Sequence, residues 1–205
     1  MSYLALKRLL DFSLALLALV VLFPALLVVA AAIKLDSGGP VIFKQKRIGK
    51  AGAQFTILKF RTMSVNAPST VPTHMLQDPG AYITKVGALL RRTSIDELPQ
   101  LWNVLMGDMS LVGPRPALPN QQDLIAEREK YGANDVPPGL TGWAQINGRD
   151  ELDIELKARL DGEYVRRMSI LFDVHCAFYT ILKVVRQEDV IEGGTVVSGK
   201  RNTMG

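Results

Sequence analysis

Thr93-Ser94-Ile95-Asp96-Glu97-Leu98-Pro99-Gln100-Leu101-Trp102-Asn103-Val104-Leu105-Met106-Gly107-Asp108-Met109-Ser110-Leu111-Val112-Gly113-Pro114-Arg115-Pro116 places two adjacent carboxylates before an apolar segment and a stiff Pro-Arg-Pro after it. Leu98, Leu101, Trp102 and Leu105 recur at i, i+3, i+4 and i+7, which predicts one buried helical face. Gly107 is the expected C-terminal cap. Two starts compete. Ser94 with Glu97 makes a capping box, but sets Pro99 inside the helix, where its ring clashes with the preceding turn. Asp96 as N-cap leaves Pro99 in the first turn, where no N–H is needed, and is preferred. Either start puts Asp96 at a positive helix end, which suits an anion.

Asp-Glu at a helix start is ordinarily a cap. The surrounding cations argue for more. Arg91, Arg92 and Arg115 lie close in sequence, and Lys59 and Arg61 come from an earlier strand. Guanidinium groups around a carboxylate pair suit a diphosphate bound with a divalent cation.

The segments Lys44–Gly49, Lys59–Met63, Asp96–Asn103, Gly107–Pro116 and Pro138–Arg149 follow one another in an order that resembles the bacterial sugar transferases, the monotopic phosphoglycosyl transferases. The resemblance runs over nearly the whole chain. It implies transfer of a sugar phosphate from a nucleotide diphosphate sugar to polyprenyl (undecaprenyl) phosphate, with release of a nucleoside monophosphate; a UDP-sugar donor and UMP are expected. An ionised aspartate can attack phosphorus, so Asp96 is the expected nucleophile, forming an aspartyl phosphosugar, with Glu97 beside it and Mg²⁺ as the expected cofactor that screens the diphosphate. Asp96, Glu97 and Asp161 are the expected metal ligands. Lys59, Arg61, Arg91, Pro114, Arg115, Pro116, Asn147 and Arg149 are the expected substrate-binding residues. Asp161 and Tyr164 resemble a late motif of the family. The expected setting is the cytosolic face of the bacterial inner membrane, with lipid and downstream glycosyltransferases as partners and no nucleic acid. An inactive membrane-tethered scaffold and a nucleotide-sugar pyrophosphatase are the alternatives.

Phe12 to Ile33 carries no charged residue, and such a helix is long enough to reach across the hydrocarbon core. A single spanning helix is the plain reading. Pro24 in its middle, and basic residues at both ends (Lys7, Arg8 and Lys34), favour a kinked segment that enters and leaves by one face. The resemblance implies this re-entrant form with Pro24 at the break, although Phe23 stands where some relatives have a small polar residue. No small-residue cleavage pattern of a signal peptide follows.

The expected architecture is α+β: a re-entrant anchor over 1–34, a catalytic domain over 35–186 and a polar tail over 187–205. Val41–Arg47 and Gln54–Arg61 read as a hairpin joined by Gly49–Gly52. Alternation puts Phe55, Ile57, Lys59 and Arg61 on one face. Ser64–Gly80 reads as a long loop, Ala81–Arg92 as a short helix and Asn120–Tyr131 as a solvated one. Glu151–Arg159 is a charged helical stretch. Asp161–Arg186, basic and aromatic, lies either in the membrane interface or in the core. The net charge is +4, but no basic-aromatic array of a single-strand reader accompanies it, so nucleic acid is not expected. Cys176 is the single cysteine, which allows no intrachain disulfide and fits a cytosolic domain. His74 and His175 stand far apart, without zinc spacing, and His175 reads as structural.

Overall fold

The computed structural model describes residues 2–67, 78, 80–148 and 152–186. His74, Arg149, the middle of the 64–80 loop and the 187–205 tail fall outside these. Helix α1 (Tyr3–Asp36) is followed by an antiparallel hairpin of β1 (Ile42–Ile48) and β2 (Gln54–Phe60), then α2 (Lys85–Arg92) and α3 (Gln100–Met106). Strand β3 (Ser110–Val112) pairs in parallel with β4 (Gly139–Thr141), with α4 (Gln122–Glu129) between them. Helices α5 (Trp143–Ile146), α6 (Ile154–Arg167) and α7 (Ile170–Arg186) complete the α+β body.

Helix α1 runs unbroken through Pro24. Among the described residues it contributes to two buried clusters. Ala15 packs with Ile57, Leu101, Val104 and Met109, and Ile33 packs with Phe60 and Leu90. Full burial of side chains such as Leu101 and Val104 contributes about 1.5–3 kcal/mol each. Polar contacts fix both ends. Lys7 pairs with Asp173 at 2.9 Å, and Tyr3 donates to the same carboxylate at 2.8 Å. Asp11 accepts from Ser110 Oγ and Leu111 N. Arg8 donates to the carbonyls of Val104 and Leu105, the open end of α3, where a cation is favoured. At the other end, Asp36 accepts from Val86 N.

Between these ends α1 leaves Phe12, Leu16, Leu17, Val20, Val21, Phe23, Leu27 and Val28 exposed. Helix α7 shows the same division. Phe172 and Cys176 are buried with Val112 and Tyr164, while Leu171, Val174, Phe178, Ile181 and Val185 form an outward stripe at helical spacing. His175 lies among the rings of Trp143, Phe172 and Tyr179, a packing role. The charged and amphipathic stretches read at 151–159 and 161–186 divide elsewhere, with α6 ending at Arg167 and α7 starting at Ile170.

Candidate active site

The carboxylate pair does not sit on a helix end. Ser94 has φ +55° and makes no side-chain cap, so the capping box is absent. Asp96 and Glu97 form their own 3-10 turn (Ile95–Glu97), and α3 begins only after Pro99. Pro99 stands at the N-cap of α3, where its missing N–H costs nothing. A left-handed non-glycine residue is strained backbone, held in place by its surroundings. The field at Asp96 therefore comes from neighbouring cations rather than from a helix dipole. Trp102, expected on the buried face, is exposed, and Asn103 is buried instead. The Asn103 amide accepts from Leu58 N and donates to the Thr56 carbonyl. It thereby clips α3 onto β2 and sets Lys59 opposite the turn. Gly107 closes α3 at φ +94°, as expected.

Lys59 Nζ lies 2.7 Å from Glu97 Oε1, and Arg115 NH2 lies 3.1 Å from the same oxygen. Arg91, from the last turn of α2, donates to Thr62 Oγ1 at 2.8 Å and adds positive potential at Asp96. The two carboxylates are thus unlike. Glu97 is matched directly by two cations. Burial pushes Asp96 up to about 6; Glu97 adds to that rise, and Lys59, Arg91 and Arg115 oppose it. Burial also lowers the Lys59 ammonium, and Glu97 resists that shift. Such unequal environments separate the roles of adjacent acids.

The loop that carries Arg115 is pinned from behind. Four successive carbonyls each accept a hydrogen bond: Pro114 from Gly139 N, Arg115 from Arg128, Pro116 from Arg47 and Ala117 from Ile48 N. Glycine is needed where β3 leads into this loop. A Cβ on Gly139 would lie 2.1 Å from Gly113 N, and one on Gly113 would lie 2.6 Å from Pro137 O. The Arg115 backbone is fixed while its side chain keeps 33% exposure, so it faces both Glu97 and solvent.

Residues 2–187 match the family described as bacterial sugar transferase. The chain belongs to the bacterial sugar transferase family. It is 45% identical over 192 residues to the UDP-glucose:undecaprenyl-phosphate glucose-1-phosphate transferase of Escherichia coli, which covers 87% of this chain and 40% of that protein. It is 44% identical over 185 residues to the uncharacterized sugar transferase EpsL of Bacillus subtilis, covering 90% of each. It is 38% identical over 191 residues to the UDP-N-acetylgalactosamine-undecaprenyl-phosphate N-acetylgalactosaminephosphotransferase of Aeromonas hydrophila, covering 89% of this chain and 44% of that one. The chain thus spans less than half the length of the Escherichia coli and Aeromonas relatives.

In this family member, Lys59, Arg91, Asp96, Glu97 and Arg115 come together, flanked by Pro114 and Pro116. Other expected residues are engaged elsewhere. Arg61 lies beyond the end of β2, is buried, and holds Ser37 and Gly38 at the turn after α1. The strand alternation that paired it with Lys59 has ended there. Asn147 is exposed and donates to the Trp143 carbonyl, closing α5. Asp161 is buried against Arg128 at 2.6 Å. Among the described residues no group of three or more His, Cys, Asp or Glu is placed to hold a metal, so Asp96, Glu97 and Asp161 do not form one ligand set. Arg128 lies on the helix expected to be solvated, yet it is buried. Its signal was its place four residues after Leu124, and both are buried.

Proposed function

We propose that this transferase moves a sugar 1-phosphate from a UDP-sugar to polyprenyl phosphate through a covalent aspartyl phosphosugar. The observation that carries the reading is the asymmetry at the turn: two cations neutralise Glu97, while Asp96 stands beside the same cations with a raised pKa. The Asp96 carboxylate oxygen attacks the phosphorus that bears the sugar. The bond from that phosphorus to the bridging oxygen of UMP breaks, and UMP leaves with the electron pair. An oxygen of the polyprenyl phosphate then attacks the same phosphorus, and the bond to Asp96 breaks to regenerate the carboxylate. Lys59, Arg91 and Arg115 screen the charge that both displacements gather on phosphate oxygens.

Asp96 and Glu97 offer the hard carboxylate oxygens that Mg²⁺ takes, and Mg²⁺ is commonly held by one or two carboxylates with substrate phosphates completing the shell. The pair fits that pattern without a third acid. When bound there, Mg²⁺ would withdraw charge from the diphosphate.

The apolar faces of α1 and α7 support seating on a lipid surface, because leaving such side chains in water forfeits about 1.5–3 kcal/mol each. The Lys7–Asp173 and Asp36–Val86 contacts tie both ends of α1 to one body. That supports a monotopic placement on the cytosolic face of the inner membrane. With Cys176 replaced, Ser2→Cys and Val65→Cys should both resist an impermeant thiol reagent in intact cells and both react after lysis. Labelling of Ser2→Cys alone in intact cells would establish a spanning helix.

Product analysis tests the chemistry. Purified protein is incubated with polyprenyl phosphate and a panel of UDP-glucose, UDP-galactose and UDP-linked N-acetylated amino sugars. The expected products are UMP and a polyprenyl diphosphate sugar, in equal amounts, from at least one donor. Free sugar phosphate without the lipid product would make the protein a pyrophosphatase, and no release from any donor would leave a scaffold.

A further inference from the structure

We infer that Arg128 and Asp161 form a positioning unit for Arg115, and that the strength of donor binding depends on this unit. The inference rests on the proposed role of Arg115 at a donor phosphate. Arg128 is buried on α4 and spends its whole guanidinium fork on two partners. Nε and NH2 donate to Asp161 Oδ2 at 2.8 and 2.6 Å, and NH1 donates to the Arg115 carbonyl at 2.9 Å. Asp161 is 1% exposed on α6. A relay of contacts therefore runs from α6 through α4 to the Arg115 backbone, and on through the Arg115 side chain to Glu97 and Lys59.

Of the four groups that pin the 114–117 carbonyls, Arg128 is the one that grips Arg115 itself. A buried charge is tolerated only with a partner, and Asp161 supplies it. Asp161 fixes the direction of the fork, and the fork fixes the carbonyl. The packing behind this pair is close: a Cβ on Gly162 would lie 2.4 Å from Tyr131 Cβ, so α6 meets the end of α4 without a gap. Arg128 lines the small cavity beside Arg115, but its three nitrogens are committed to Asp161 and the Arg115 carbonyl, and Asp161 is sealed from solvent. They act through Arg115.

Lysine cannot reproduce this geometry. A single ammonium replaces three planar nitrogens, so it cannot pair with Asp161 from two donors and hold a carbonyl in the same plane. Arg128→Lys should therefore keep the buried charge and release the Arg115 backbone. Asp161→Asn keeps an acceptor for the fork but removes the charge that orients it.

The test measures UDP-sugar affinity in the Asp96→Asn protein in nanodiscs, where the donor binds without turnover. Arg128→Lys and Asp161→Asn should each weaken binding about tenfold, and Arg115→Ala at least as much. The double variant Arg115→Ala/Arg128→Lys should bind within about twofold of Arg115→Ala alone, because the first change has nothing left to position. Thermal unfolding of each variant is followed alongside. Equal fold losses in the presence and absence of Arg115 would make Arg128 a general structural residue and overturn the inference. Unchanged affinity in both Arg128→Lys and Asp161→Asn would overturn it as well. If Arg128→Lys fails to fold, Asp161→Asn combined with Arg115→Ala carries the same comparison. Absence of donor binding to the Asp96→Asn protein itself would instead strike the functional reading, before any question of positioning arises.

Discussion

Asp96→Asn should lower UMP release by roughly 10⁴-fold or more, the scale on which removal of a covalent nucleophile acts. Wild-type protein given the correct UDP-sugar without lipid acceptor should release at most about one equivalent of UMP in a burst, as a covalent first step requires. Intact-protein mass spectrometry should then show an added sugar phosphate on the peptide that holds Asp96. The amide variant should show neither. Glu97→Gln should keep the burst but slow turnover, since it weakens the hold on Lys59 and Arg115 without removing the attacking oxygen. An adduct on Glu97 would reverse the two roles. A requirement for both substrates before any UMP appears would mean direct transfer. The pH profile supplies an independent check. Asp96 attacks only when ionised, and burial places its pKa at about 6. Donor kcat/KM should therefore be level at neutral pH and fall tenfold per pH unit below about 6. A profile flat to pH 5 would exclude an acid of that pKa from the first step.

Removal of divalent metal should have an effect of similar size. Excess chelator is expected to abolish UMP release, and added Mg²⁺ to restore it, because a carboxylate pair facing a diphosphate gathers negative charge that Lys59, Arg91 and Arg115 must otherwise screen alone. Full activity in chelator would assign that screening to the three cations. Arg115→Ala should then raise the donor KM more than Arg115→Lys does. The lysine variant should also lose affinity, since an ammonium cannot grip a phosphate through two parallel donors. In either variant Glu97 keeps its contact with Lys59, so the turn should survive and the loss should appear in donor use rather than in stability.

The sequence by itself determined the family, the hairpin, the apolar N-terminal helix and the central pair of carboxylates with Lys59, Arg91 and Arg115. These are readable because they lie in short motifs or in patterns of period two and 3.6, which depend on local geometry. Other features depended on contacts between distant segments. Arg61 and Lys59 obey the same alternation, yet one holds the turn at Ser37 and Gly38 and the other holds Glu97, because the strand ends between them. Asn103 and Trp102 exchanged the sides that hydrophobicity assigned, because the amide satisfies two backbone groups of β2 that would otherwise be buried without partners. Asp161 resembled a ligand in the chain and became a counter-ion in the fold, since only tertiary packing brings Arg128 to within 2.6 Å of it. Local sequence encodes periodicity and residue chemistry; which charges neutralise one another is set by long-range packing, and the tertiary structure alone decided it.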